Sequence, residues 1–345
     1  MTITKTSAAA ALALATLLSG AAHADGTVNI YTYRQPELIR PVLDAFTAET
    51  GIKTEVLFLD KGLEERVQAE GQNSPVDVIM TVDIARLTRA KEAGITQPLN
   101  DEKLNGLLPP EYRDPDGHWF GLTKRARVVY ASKDRVKDTA ITYAELADPK
   151  WKGKICMRSG QHDYNLALIS AAIAHWGPEK TEQWLTGLKA NLGRKPDGGD
   201  RPQAGAIVAG QCDLAIGNTY YVGLMRTNEK DPKEKEWGNA INVLFPTFEN
   251  GLTHVNISGI ALAKHAPNRD NAVKLIEFLA GDKAQQIYAE KNFEYPVEPG
   301  LEPSEMVKSF GELKADTLPL AEIASHRKQA SEMVDRVGLD DGPSS

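Results

Sequence analysis

With 47 acidic against 40 basic residues and a formal charge of −7, the chain carries a mildly acidic surface. That argues against nucleic acid or anionic lipid as a partner and leaves a cationic ligand open. Its 345 residues are long for one core, so two lobes are expected.

The N-terminal "MTITKTSAAAALALATLLSGAAHADG" holds Lys5, an apolar run from Ala8 to Leu18, and a small-x-small end at Ala22-His23-Ala24. This is the pattern of a secretory signal over residues 1–24, cleaved before Asp25. The apolar run is shorter than the roughly 20 residues that a membrane span needs. No later segment is apolar enough to span a bilayer, and no cysteine follows the signal to carry a lipid. A soluble, exported, most simply periplasmic protein is expected, with 321 of the 345 residues left and a charge of −8 once Lys5 has gone.

The mature chain opens with a β-rich run, "TVNIYTY" (27–33). A helix follows, with Leu38, Val42, Leu43 and Phe46 at helical spacing and a stop at Gly51. "TEVLFLD" (54–60) reads as a strand, "KGLEERVQAEG" as a helix closed by Gly71, and "SPVDVIMTVD" (74–83) as a third strand. Strand and helix alternating at this spacing mean βαβ units and a mostly parallel sheet. A second α/β set follows from about Val128, with strands at "GKICMRS" (153–159) and "QCDLAIGN" (211–218) and an apolar helix at 163–177. Residues 259–291 read as a strand and two helices, and the tail from 298 as helical segments with a disordered "LDDGPSS" end. "RARVVYASKD" (125–134) and "PTFENGLTHVNISG" (246–259) are the expected crossings between lobes. They divide the chain into a first lobe of 25–126 plus 256–297 and a second of 127–255 plus 298–345. Ligands of such α/β folds bind outside the carboxyl ends of the strands, here in a shared cleft.

Cys156 and Cys212 are the two cysteines. In an oxidising compartment two thiols more often pair than stay free. Both stand in short predicted strands of the second lobe, and a bridge closing this loop would contribute about 4 kcal/mol in the chain-entropy model.

Tyr33, Tyr164, Tyr220 and Tyr221 all follow the carboxyl end of a predicted strand. Tyr130, Tyr143 and Tyr288 do not, and are read as structural. Phenolate is a hard anionic donor suited to a hard, highly charged cation such as Fe(III). A free phenol titrates near about 10, but a trivalent ion drives its proton off. Tyr164 and the Tyr220–Tyr221 pair also begin helices, where the dipole favours an anion by about 0.3–1 kcal/mol. Four phenolates on Fe(III) leave a net negative charge, and a buried anion needs a cationic neighbour. Arg34, Arg125, Arg127 and Arg226 are the candidates.

These segments resemble the periplasmic ferric-iron-binding proteins of ABC transporters, FbpA and FutA, over essentially the whole mature chain. The most specific pieces are "YTYRQP" (31–36), "SPVDVIMTVDIARL" (74–87), "RSGQHDYN" (158–165), "CDLAIGNTYYVG" (212–223) and "NFEYPV" (292–297). The resemblance implies a two-lobed periplasmic-binding-protein fold with the ligand between the lobes. It carries the family's double-tyrosine iron site onto Tyr220 and Tyr221, its third tyrosine onto Tyr164, and a first-lobe ligand onto Tyr33. It also implies an inner-membrane ABC permease as partner, a monomer, and room for a synergistic anion such as carbonate. Where one branch of the family has a histidine this chain has Gln35, and where that branch has a glutamate it has Val82. Where another has a His-Tyr pair, this chain has Gln35-Pro36. A tyrosine-based site follows.

No enzyme is expected: GxSxG, HExxH, Walker and GxGxxG motifs are absent, and "SHRK" (325–328) lacks the companions of a catalytic SxxK. The nearer alternative is the same fold holding a polyamine, thiamine, sulfate or sugar, whose sites favour Trp stacking, carboxylates or backbone N–H nests. His162, two residues from Tyr164, could approach the site.

Overall fold

The computed structural model describes residues 26–343. The signal-peptide reading of residues 1–24 lies outside the described residues.

β1 (Thr27–Thr32), β2 (Lys53–Phe58) and β3 (Val78–Thr81) pair in parallel in the order β2-β1-β3. The helices α1 (Pro36–Thr50), α2 (Leu63–Glu70) and α3 (Ile84–Glu92) follow them in turn. α1 begins with proline at a position where no N–H is needed, and Gly51 ends it at φ 75° with its N–H on the Thr47 carbonyl. Its Ile39, Val42, Leu43 and Phe46 are buried with Ile30 and Ile79 of the sheet. Each such side chain contributes about 1.5–3 kcal/mol. Asp83 caps α3, accepting from the Ala85 N–H at 2.7 Å.

The remaining strands are β4 (Phe120–Ser132), β5 (Ile155–Cys156), β6 (Leu214–Asn218), β7 (Ile241–Leu244), β8 (Val255–Leu262) and β9 (Tyr295–Pro296). The sheet order is β2-β1-β3-β8-β4-β6-β5, with β7 and β9 also paired to β4. β4 joins the two lobes: up to Ala126 it pairs with β8 and β9, and from Arg127 with β6 and β7. The mostly parallel sheet expected from the first three strands is mixed in the whole molecule. Long crossing strands return beside one another, so β4 and β8 pair antiparallel with every neighbour they have.

In the second lobe β5 and β6 are parallel neighbours, and Cys156 and Cys212 are bonded between them, with Cα atoms 5.8 Å apart. Helices Asp163–Trp176 and Thr219–Arg226 follow these two strands. The disulfide therefore ties together the strands whose carboxyl ends carry Tyr164, Tyr220 and Tyr221. The C-terminal segment is folded as far as it is described, against the expected disorder. Leu339 is buried, and the Asp340 carboxylate accepts from the Ser159 hydroxyl and the Gly160 N–H, the latter at 2.6 Å. The end of the chain thus braces the turn that leads into Tyr164. Among the described residues no helix is long and apolar enough to cross a membrane.

Candidate functional site

A cavity of about 220 Å³ lies between the lobes, where the strand ends meet. Tyr33, Tyr164, Tyr220 and Tyr221 all line it. The local sequence dictates their placement. Asn218 ends β6 and Thr219 begins the next helix, so Tyr220 and Tyr221 fall in its first turn. Two glycines make the close approaches around that turn. A Cβ on Gly217 would sit 2.3 Å from the Tyr130 ring, whose hydroxyl donates to the Asn218 carbonyl. One on Gly223 would sit 2.3 Å from Phe293. Tyr130 and Tyr143 are structural as expected, and Tyr143 donates to the Arg127 carbonyl at 2.7 Å.

Three phenols converge from the second lobe. The Tyr164 and Tyr220 hydroxyls are 3.3 Å apart, and the Tyr220 and Tyr221 ring centres are 4.2 Å apart, the rings tilted by 36°. Burial pushes the Tyr220 phenol well above its ordinary value, and Tyr164 and Tyr221 beside it add to the shift. Burial raises Tyr221 likewise, followed by Tyr164 and Asp200. These hydroxyls are hard oxygen donors crowded into one small volume, an arrangement that suits a highly charged cation. Among the described residues no group of three histidine, cysteine or carboxylate side chains converges as a metal site.

Tyr33 lines the same cavity but is engaged elsewhere. Its hydroxyl donates to Glu64 and accepts from the Leu63 N–H at 2.9 Å, at the start of α2. Burial and the Glu64 carboxylate push its phenol up to about 12. The Arg86 guanidinium lies 4.0 Å over its ring.

Arginines surround the phenols. Arg125, Arg127 and Arg158 stand 5.7, 5.9 and 5.3 Å from the Tyr164 ring centre. Arg127 is buried and bound to Asp200 at 2.5 Å and to Asn165 and Asn218. Burial alone would raise the Asp200 carboxyl, but Arg127 and Arg158 hold it below its ordinary value. Arg34 pairs with buried Glu294 at 2.6 Å and shares Ser258 with Arg125. The Arg125 Nε has no hydrogen-bond partner. Arg226 is not brought to the cavity. It lies five residues past Tyr221 on one helix, about 140° around the axis, and caps the Gly238 and Ile241 carbonyls instead.

His162 does line the cavity. Its Nδ1 accepts from the Tyr164 N–H at 3.2 Å, and burial, with Arg158 next, lowers its titration to about 3. Gln35 and Val82 line it too, where neither side chain offers a strong ligand. Glu64, Arg86, Asp163, Asp200 and Asp340 escaped the reading of the sequence. Their signals are a charge in the first turn of a helix, or beside a quoted motif, and surface residues give the same signals.

Residues 31–286 match the model of the bacterial extracellular solute-binding protein family. Iron uptake protein A1 of Synechocystis is 43% identical over 314 residues, covering 90% of this chain and 87% of the relative. A Bordetella ferric binding protein superposes with a TM-score of 0.85 at 53% identity, covering 91% of this chain and 99% of that one. A Trichodesmium protein solved in complex with iron and citrate gives 0.85 at 40% identity, covering 91% and 100%. The chain belongs to the bacterial extracellular solute-binding proteins, in the group of the iron uptake and ferric-binding proteins.

Proposed function

We propose that this protein captures Fe(III) in the inter-lobe cleft and delivers it to an ABC permease of the inner membrane. The observation that carries the reading is the convergence of Tyr164 and Tyr220, hydroxyls 3.3 Å apart, with the Tyr221 ring beside that of Tyr220. Binding replaces three phenol protons with one trivalent ion, which removes the cost of crowding phenolates in a buried site. The names of the relatives support iron as the cargo. The export signal and the family support a periplasmic binding protein and not an enzyme, and we read it as a monomer.

In this mechanism the metal meets the second-lobe tyrosines first. Tyr33 becomes the fourth ligand only by giving up Glu64 and the Leu63 amide. The change of partners along β4 at Ala126/Arg127 supports the division into 25–126 plus 256–297 and 127–255 plus 298–345, with β4 and β8 as the hinge. Arg125, with its free Nε beside Tyr164 and Ser258, supplies positive charge for the anionic site and a seat for a synergistic anion such as carbonate. Protonation of the phenolates, or reduction to the less charged Fe(II), assists release.

The test is the visible spectrum of the metal-free protein before and after ferric citrate. Ferric phenolate gives a charge-transfer band. An unchanged, colourless spectrum rejects the reading in favour of an organic ligand or sulfate in the same fold.

A further inference from the structure

An ion pair joins the two walls of the cleft directly, side chain to side chain. Arg86 stands on α3, in the lobe built on β1–β3, and its Nε is 2.8 Å from Oδ2 of Asp163. Asp163 opens the helix that follows β5 in the other lobe, one residue before Tyr164. The pair is largely shielded, with 19% and 11% of the side chains exposed, so salt screens it less than a surface pair. The guanidinium that makes this contact also covers the Tyr33 ring at 4.0 Å. Stacking on one face and pairing at the edge fix a planar cation in a way that a lysine could not match. One side chain therefore touches the first-lobe tyrosine and the start of the second-lobe tyrosine helix.

Asp163 has a second partner. Its Oδ1 accepts from Arg327 at 2.7 Å. Arg327 begins the helix Arg327–Val337, which is joined to the second lobe through Gln161, bonded to Ser331 and Asp335. The same carboxylate thus has one arginine from across the cleft and one from its own side. Removing Arg86 leaves Asp163 still paired, so the loss is one of inter-lobe contact and not of a buried, orphaned charge.

We propose that Arg86 and Asp163 form a metal-independent latch between the lobes, with Arg86 as a positioning residue that sets how far closed the empty cleft stands and how fast bound metal escapes. The second half of this statement rests on the ferric reading above; the first does not. Closure is then an equilibrium of the protein itself, which the metal shifts and does not create.

The test compares wild type, Arg86→Gln and Arg327→Gln. Small-angle scattering of the metal-free proteins should give a larger radius of gyration for Arg86→Gln alone, with Arg86→Lys in between. After loading with ferric citrate, Arg86→Gln should still show a ferric phenolate band, since Tyr164, Tyr220 and Tyr221 are unaltered and none of them contacts Arg86. It should lose iron to a competing chelator roughly two- to fivefold faster, the effect of one partly exposed pair. The latch is overturned if Arg86→Gln is as compact as wild type and releases iron at the same rate. It is also overturned if Arg327→Gln opens the protein equally, which would assign the effect to Asp163 alone. If wild type forms no ferric band the function proposed above fails, and the scattering of the metal-free proteins still decides the latch.

Discussion

On the second-lobe wall of the cleft Tyr164 and Tyr220 stand with their hydroxyls 3.3 Å apart, while on the first-lobe wall the Tyr33 hydroxyl is taken up by Glu64 and the Leu63 amide. The first group is held by covalent and ionic means: the Cys156–Cys212 bond between β5 and β6, the Asp200 carboxylate under Arg127 and Arg158, and Asp340 on the Ser159–Gly160 turn. The single tyrosine opposite has to break two hydrogen bonds before it can do anything else. Ordering that is already present in the free protein does not have to be supplied at binding. On the proposed reading the second lobe is the docking platform, and the first is the part that responds.

The largest effect should come from removing what assembles the platform. Asp200→Asn leaves Arg127 without its buried counter-charge and should cost about 3–5 kcal/mol of stability. Equilibrium urea unfolding measures this, and a loss below about 1 kcal/mol would mean that the network is not what holds the wall. Tyr220→Phe deletes one oxygen from a buried ring, so the fold should persist. Iron affinity should nevertheless drop more than about 100-fold, since even partners outside the coordination shell are worth 10–100-fold. Competition against a chelator reads this directly, and wild-type affinity would make the pair structural.

The platform should also show itself through pH. Burial holds the Tyr220 and Tyr221 phenols above their ordinary value in the metal-free protein, so both are protonated at neutral pH and both must lose the proton to bind metal. At least two protons are released per metal. Apparent affinity should thus rise by at least about 100-fold per pH unit upward and fall by at least as much downward. Affinity independent of pH, after correction for chelator and hydroxide, would exclude phenolate ligation. The smallest effect belongs to the first wall. Tyr33→Phe should speed iron loss by about tenfold or less, because what the metal gains is offset by the hydrogen bonds Tyr33 gives up. A loss matching that of Tyr220→Phe would erase the distinction between the walls.

The same contrast explains what could be read from the sequence. Tyr220 and Tyr221 are legible because strand β6 runs into their helix within two residues, so local pattern fixes their place. The βαβ start is legible for the same reason, and the cysteine pair because two thiols in an oxidising compartment tend to bond. Arg226 was misplaced because adjacency in sequence ignores the helical turn that carries it to the far side. The seat of Tyr33 on Glu64, the Arg86–Asp163 pair and the brace from Asp340 join residues 31, 77 and more than 170 positions apart. Each of those charges taken alone has the pattern of a solvated helix end, and only the closed topology shows its partner. The expected disorder of "LDDGPSS" fails on the same ground over its described part, 339–343, since the polarity of Asp340 serves an internal contact.

The most direct test of the two-wall account is a visible titration with ferric citrate of two variants side by side, Tyr33→Phe and the triple variant Tyr164→Phe/Tyr220→Phe/Tyr221→Phe. The account predicts a ferric phenolate band at one equivalent in Tyr33→Phe and none in the triple variant. A band that survives in the triple variant and vanishes in Tyr33→Phe would contradict it.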